Sequence, residues 1–253
     1  NDIDEVAYAG YLKALIDGRP RKNDPYTGRD DSLENPQPES LFSIQFVAPY
    51  TIALPARLVG MDAPWAMTIS GALAAFLTAL AIFWLLGMLT DDSLFAMAGT
   101  LVVLCGGALF AGEGAIGEVL GIGFSYPYFP GFRRYLPAMA FPPFFVLLGL
   151  VWKLLCKSPD NASETDKRAP QSGLRSDRLF IVLAVLAFGY TVYSYFFVWT
   201  AAAAWFGSIA LLWLIFSSNG VRNELRKFVG PAIGFGVILM PYFYLLSLRA
   251  TTL

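Results

Sequence analysis

The chain has 253 residues, 56% of them hydrophobic and 15% charged, with a formal net charge of −1. A soluble domain carries about 25% charged residues, and the apolar residues here fall into blocks of bilayer-crossing length. Composition therefore excludes an ordinary soluble globule and predicts an all-α, polytopic transmembrane helix bundle. No histidine occurs, which excludes Ser-His-Asp and Cys-His nucleophilic sites, HExxH zinc sites and histidine-held haem. Acid–base chemistry falls to Asp, Glu, Lys, Tyr or Cys.

The chain opens at Asn1 with no basic, apolar leader, and it reads as a piece of a longer protein. Asn1–Gly18 crowds Asp2, Asp4, Glu5 and Asp17 around apolar Val6, Leu12, Leu15 and Ile16, with Tyr8 and Tyr11 among them. That spacing predicts a short amphipathic helix with acids at its positive end. Residues 19–40 are polar and carry Pro25, Pro36 and Pro38, which predicts a solvated loop. Residues 41–61 are apolar but broken by Pro49 and Pro55, and read as a surface-lying or re-entrant segment. Residues 1–61 thus form an expected outer acidic loop with juxtamembrane segments.

Residues 62–253 are expected to form the bundle, with spans near 64–89, 93–111, 135–156, 179–195, 198–217 and 229–248. Asp62-Ala-Pro-Trp is a cap-plus-proline helix start with an interfacial aromatic, and Asp91-Asp92 suits a tight turn. Gly99, Gly106 and Gly107 permit close helix packing. Residues 112–134 make a glycine- and aromatic-rich loop. Leu179–Phe216 is too long for one crossing at about 1.5 Å per residue, which predicts a break near Tyr193–Trp199, where aromatics cluster as at an interface. Cys105 and Cys156 are expected to be buried as small hydrophobes. The loops 157–178 and 219–227 hold most of the basic residues of the second half. By the positive-inside bias they lie in the cytoplasm, which puts 1–40 and 112–134 together outside.

On that outer face Asp2, Asp4 and Glu5 would meet Glu113, Glu118, Tyr126, Tyr128, Arg133 and Arg134. Acids there suit a general base, and an arginine pair at the membrane edge suits a phosphate through its paired donors. Aromatics between them suit a sugar face or an isoprenoid tail. The plainer readings are a solvated helix start for the acids and headgroup snorkelling for the arginines.

Asp4-Glu5-Val6-Ala7-Tyr8-Ala9 resembles the Asp-Glu-x-x-Tyr element in the first outer loop of integral membrane glycosyltransferases with the GT-C fold. Asn35-Pro36-Gln37-Pro38-Glu39-Ser40-Leu41-Phe42 looks like their proline-containing segment before the next helix. Tyr193–Thr200, followed by an alanine run, is similar to aromatic helix joints of bacterial members. The resemblance implies transfer of a sugar from a polyprenyl-phosphate donor to an outer-face hydroxyl or amine, in a cell-envelope membrane. It implies Asp4 as base, with Glu5 positioning the acceptor or a metal and Glu113 assisting. Tyr8, Tyr126, Tyr128, Arg133 and Arg134 would bind substrate. Partners are then membrane lipid and the lipid-phosphate donor, with no nucleic acid. A divalent cation is the one cofactor left open. The family's preceding helix, its later helices and any C-terminal domain are not seen in this sequence. A transporter or flippase, and a non-catalytic membrane protein, are the competing readings.

Overall fold

A computed structural model of the chain describes residues 3–106, 135–156, 170–216 and 221–249. Among the described residues nine α-helices form, and no strand does beyond two isolated bridges. They are α1 (Ile3–Ile16), α2 (Leu41–Ile44), α3 (Val47–Val59), α4 (Ala63–Thr90), α5 (Ser93–Leu101, continued by a π-turn over Val102–Gly106), α6 (Tyr135–Cys156), α7 (Pro170–Val192), α8 (Phe196–Phe216) and α9 (Val221–Ser247). Four are long and apolar enough to cross a membrane: α4, α6, α8 and the Arg226–Ser247 part of α9. The expected span at 93–111 runs on into residues 107–111, outside the described residues, and the one at 179–195 falls on α7 and the joint that follows it. α5 with its π-turn is described only as a shorter apolar helix, Ser93–Cys105. The apolar part of α7 begins after Asp177 and Arg178.

Local chemistry sets the boundaries. The Asp62 carboxylate accepts the Trp65 N–H at 3.3 Å, and Pro64 follows in the first turn of α4. Asp91 closes α4 in the left-handed region at φ 53°. Asp92 then caps α5 by accepting the N–H groups of Leu94 and Phe95 at 2.8 and 3.1 Å. The long apolar run breaks at Tyr193–Tyr195, between α7 and α8. The Tyr193 carbonyl freed there accepts the Val47 N–H of α3 at 3.0 Å.

The long helices pair in two parallel sets. Ala66 near the start of α4 packs with Tyr135 and Leu136 at the start of α6. Near the other end, Trp84 of α4 lies against Gly149 of α6, with the Lys153 ammonium over its ring. α7 and α9 also run parallel, with Gly230 against Ile181, Gly234 against Val185 and Gly189 against Ile238. α8 returns antiparallel to α9, with Phe206 packed on Phe235 and Trp199 on Tyr242. The outward faces stay apolar: Ile69, Leu73, Phe76 and Leu80 of α4 and Val229, Ile233, Val237 and Met240 of α9 are exposed. Such faces belong in lipid.

A second core joins α1 and α3 to one end of this bundle. Tyr11, Leu12 and Leu15 of α1 pack with Ala48, Ile52 and Ala53 of α3 and with Tyr135 and Leu136 of α6. The buried stripe of α1 is Ala7, Tyr11, Leu12, Ala14 and Leu15. Val6, placed on the apolar face by sequence, is 73% exposed instead, because the small Ala7 takes the inward position one residue later. Both cysteines also differ from expectation: Cys105 and Cys156 are free and exposed. Each sits at a helix end, on the π-turn of α5 and at the last residue of α6.

Candidate functional site

The polar loop after α1 is held in one shape by paired charges. The Arg21 guanidinium donates to both Glu39 carboxylate oxygens, at 2.9 and 2.6 Å. It also donates to the Ser43 carbonyl and lies 5.6 Å from the centre of the Phe46 ring. The Ser43 hydroxyl donates to Glu39 at 2.6 Å, so loop and α2 close over a buried carboxylate. Burial pushes the Glu39 pKa up, but the bonds from Arg21 and Ser43 and the nearby charges of Arg21 and Lys22 outweigh it and hold the group below the ordinary range. Lys22 pairs with Asp31 at 3.0 Å and Arg19 with Asp30 at 2.8 Å. Asp24 accepts the Tyr26 N–H at 2.9 Å and the Thr27 hydroxyl at 2.5 Å. Burial raises the Asp24 pKa, and these bonds, with Arg29 nearby, bring it below the usual value. The Tyr11 hydroxyl donates to the Arg21 carbonyl at 3.0 Å, and burial pushes its pKa far up, so it stays a neutral donor.

Two adjoining cavities open beside this loop. One, of about 610 Å³, lies between Tyr8 of α1, Phe42 and Gln45 around α2, Tyr195, Phe196 and Phe197 at the α7–α8 joint, and Tyr242, Leu246 and Arg249 at the end of α9. The other, of about 470 Å³, lies within the loop and is lined by Lys22, Asn23, Asp24, Gln37 and Glu39 among others. Tyr26, Leu41, Phe42 and Arg249 line both. The first is walled mostly by aromatic rings, which suit a sugar face or an apolar chain. Two of its neighbours leave polar atoms unused: the Trp199 indole N–H and the Tyr242 hydroxyl approach each other without reaching hydrogen-bond geometry.

Of the site residues chosen from sequence, Tyr8 is placed fully. It lines the aromatic cavity, its ring meets Phe42 at 5.2 Å and Tyr135 at 6.1 Å, and its carbonyl accepts the Tyr135 hydroxyl at 2.9 Å. Asp4 and Glu5 lie in the first turn of α1, with Asp4 one turn before Tyr8. Their side chains are outside the described set, as are Glu113, Tyr126, Tyr128, Arg133 and Arg134 entirely. In sequence Arg133 and Arg134 directly precede Tyr135, which is bonded to Tyr8. Among the described residues no group of three His, Cys, Asp or Glu side chains is placed to hold a metal ion.

Sequence reasoning did not select Tyr26, Phe42, Tyr242 or Arg249 for the site. A usable signal existed for Arg249: crossings alternate, so the end of the last helix returns to the end where the chain begins. A scan against protein-family models, a search of the curated proteins and a search of the solved structures each find no match to this chain.

Proposed function

We propose that this chain acts as a membrane glycosyltransferase that moves a sugar from a polyprenyl-phosphate donor to an acceptor hydroxyl or amine on the outer face. The observation that carries this reading is the position of Tyr8. One turn after Asp4, it lines an aromatic cavity at the end of a helix bundle whose flanks are apolar. A lipid-linked donor would slide in from the bilayer with its chain along Phe196 and Phe197. The basic residues Lys153, Arg226 and Lys227 lie toward the opposite end of the bundle, which fits a cytoplasmic position for that end and an outer one for α1.

Asp4 takes the proton of the acceptor hydroxyl. The acceptor oxygen forms its bond to the anomeric carbon, the bond from that carbon to the phosphate oxygen breaks, and polyprenyl phosphate departs with the electron pair. Arg133 and Arg134 are assigned to the departing phosphate, because guanidinium donors strengthen as its charge localises. Glu5 and Glu113 orient the acceptor, or a divalent cation if the reaction uses one.

The test is transfer of radiolabelled sugar from polyprenyl-phosphate sugars to endogenous acceptors in membranes carrying the full chain. Asp4→Asn is expected to cut the rate by about a hundredfold or more, with expression and melting temperature unchanged. Transfer by Asp4→Asn at the unaltered rate would remove the base and the reading with it.

A further inference from the structure

One face of α3 is uncovered. Ala48, Ile52, Ala53 and Ala56 are buried in the core shared with α1 and the starts of α4 and α6. The opposite face holds Thr51, Leu54, Pro55 and Leu58, one above the other at helical spacing and all exposed. Leu58 is 86% exposed, and Val59 beside it 70%. The helix carries one charge, Arg57. Its guanidinium folds over Gly18 at the end of α1, where a Cβ would stand 2.7 Å from it. Both ends of α3 are fixed at the same end of the bundle. The Val47 N–H donates to the Tyr193 carbonyl at the α7–α8 joint at 3.0 Å, and the Tyr190 hydroxyl of α7 donates to Thr51 at 3.3 Å. At the other end Gly60, at φ 68°, turns the chain toward the Asp62 cap of α4. Tyr195 of the joint and Ala66 of α4 pack in one core. A helix of 13 residues is about 20 Å long, so α3 runs across the end of the bundle and not along it.

We infer that α3 is seated in the plane of the membrane, with its Leu54 and Leu58 face among the lipids of the leaflet that α4 enters. Lipid is the occupant because the exposed apolar row runs on in the chain through Val59 into Trp65 and Ile69, which are exposed on a helix of crossing length. The seat is shallow. Pro55 offers no N–H to the Thr51 carbonyl, and water at the headgroup level serves such a carbonyl where deep hydrocarbon does not. The buried face of α3 carries Tyr11, Leu12 and Leu15 of α1, so the helix is a raft that holds α1 at the membrane surface. This seat needs α4 and α6 to cross the bilayer and does not depend on sugar transfer.

The test uses the full chain with Cys105→Ser and Cys156→Ser in phosphatidylcholine nanodiscs, spin-labelled singly at Leu33→Cys, Leu54→Cys, Leu58→Cys or Leu73→Cys. Leu33, fully exposed on the polar loop, reports water, and Leu73, on the apolar flank of α4, reports hydrocarbon. At Leu54 and Leu58 the ratio of collisions with oxygen to collisions with a water-soluble nickel chelate should be at least about threefold that at Leu33 and below that at Leu73, as for a face about 5–10 Å deep. The two depths should agree within about 3 Å, whereas a helix along the membrane normal would separate them by about 6 Å. Ratios equal to that at Leu33 would put the face in water, and exclusion of both reagents would put it under a second protein chain. Either result overturns the seat, as does a separation of the two depths. The unaltered chain gives an independent reading. A lipid-soluble diazirine should modify residues 54–59, and a hydroxyl-radical pulse should spare them while modifying Leu33. The reverse pattern would overturn the seat even if a labelled variant failed to fold.

Discussion

Glu39 shows how one residue fixes the shape of the whole polar loop. Its side chain is 6% exposed and is bound by a guanidinium that is itself partly open, at 27%. Removing one partner of such a pair leaves the other desolvated without compensation. Glu39→Ala should therefore destabilise the N-terminal segment by about 2 kcal/mol, a value reduced for the exposure of Arg21, read as a lower melting temperature in detergent. The pH dependence has a definite sign. Glu39 and Asp24 have folded pKa values below their ordinary ones, so their contribution is complete above those ordinary values and is lost as pH falls through the folded ones. Thermal melts should hold steady near neutrality and fall below about pH 4, and Glu39→Gln should flatten much of that fall. Little of this was legible in sequence. Arg21 and Glu39 are 18 residues apart in a segment without periodicity, and composition distinguishes a solvated loop from a bonded one poorly. Val6 was misplaced for a related reason: apolar spacing weighs a valine above an alanine, while the close approach of α1 to its neighbours favours the smaller residue.

At the level of elements, close packing between the long helices decides how they pair. A Cβ on Gly149 would stand 2.2 Å from Trp84, and one on Gly234 would stand 2.2 Å from Val185. Gly149→Ala should therefore destabilise the α4–α6 pair by about 1–3 kcal/mol through overpacking. Trp84→Leu in the same chain should return most of the lost stability, because the two substitutions share one contact. Equal and additive losses in the double variant would show that the glycine serves another purpose. Helix existence was readable from apolar length, caps and turns: Asp62, Asp91 and Asp92 all sit where their chemistry predicts a helix end. Pairing was not. Gly99 does meet Leu86 of α4, where a Cβ would lie 2.7 Å away, but the stripe joining α7 to α9 alternates glycine with large side chains on both partners, and no single-helix pattern encodes that register.

At the level of the whole molecule, the ends of the bundle differ in kind. One end carries the N-terminal segment, the cavities and Arg249, and the other carries the Asp91 turn and the basic helix ends. In a chain with Cys105→Ser and Cys156→Ser, a single Thr27→Cys should react with an impermeant maleimide from outside the cell. Asp91→Cys should react only after the membrane is opened. Labelling of both from the same side would contradict the arrangement of α4. Alternating crossings made this broad layout legible in the sequence, and an all-helical structure with four apolar helices of crossing length agrees with its coarse form. The site was legible only in outline. Tyr8 was named because it belongs to a short acidic motif, whereas Phe42 on α2 and Tyr242 and Arg249 at the end of α9 come to it from two distant parts of the chain by tertiary packing.

The bond between the Tyr135 hydroxyl and the Tyr8 carbonyl joins residues 127 positions apart, and it imposes a timetable on biogenesis. A ribosome adding about 5–20 residues per second needs roughly ten seconds to deliver the second partner after the first. Throughout that interval the N-terminal segment lacks the α6 surface that completes its core. Its core closes only once the second long apolar helix, α6, has been made.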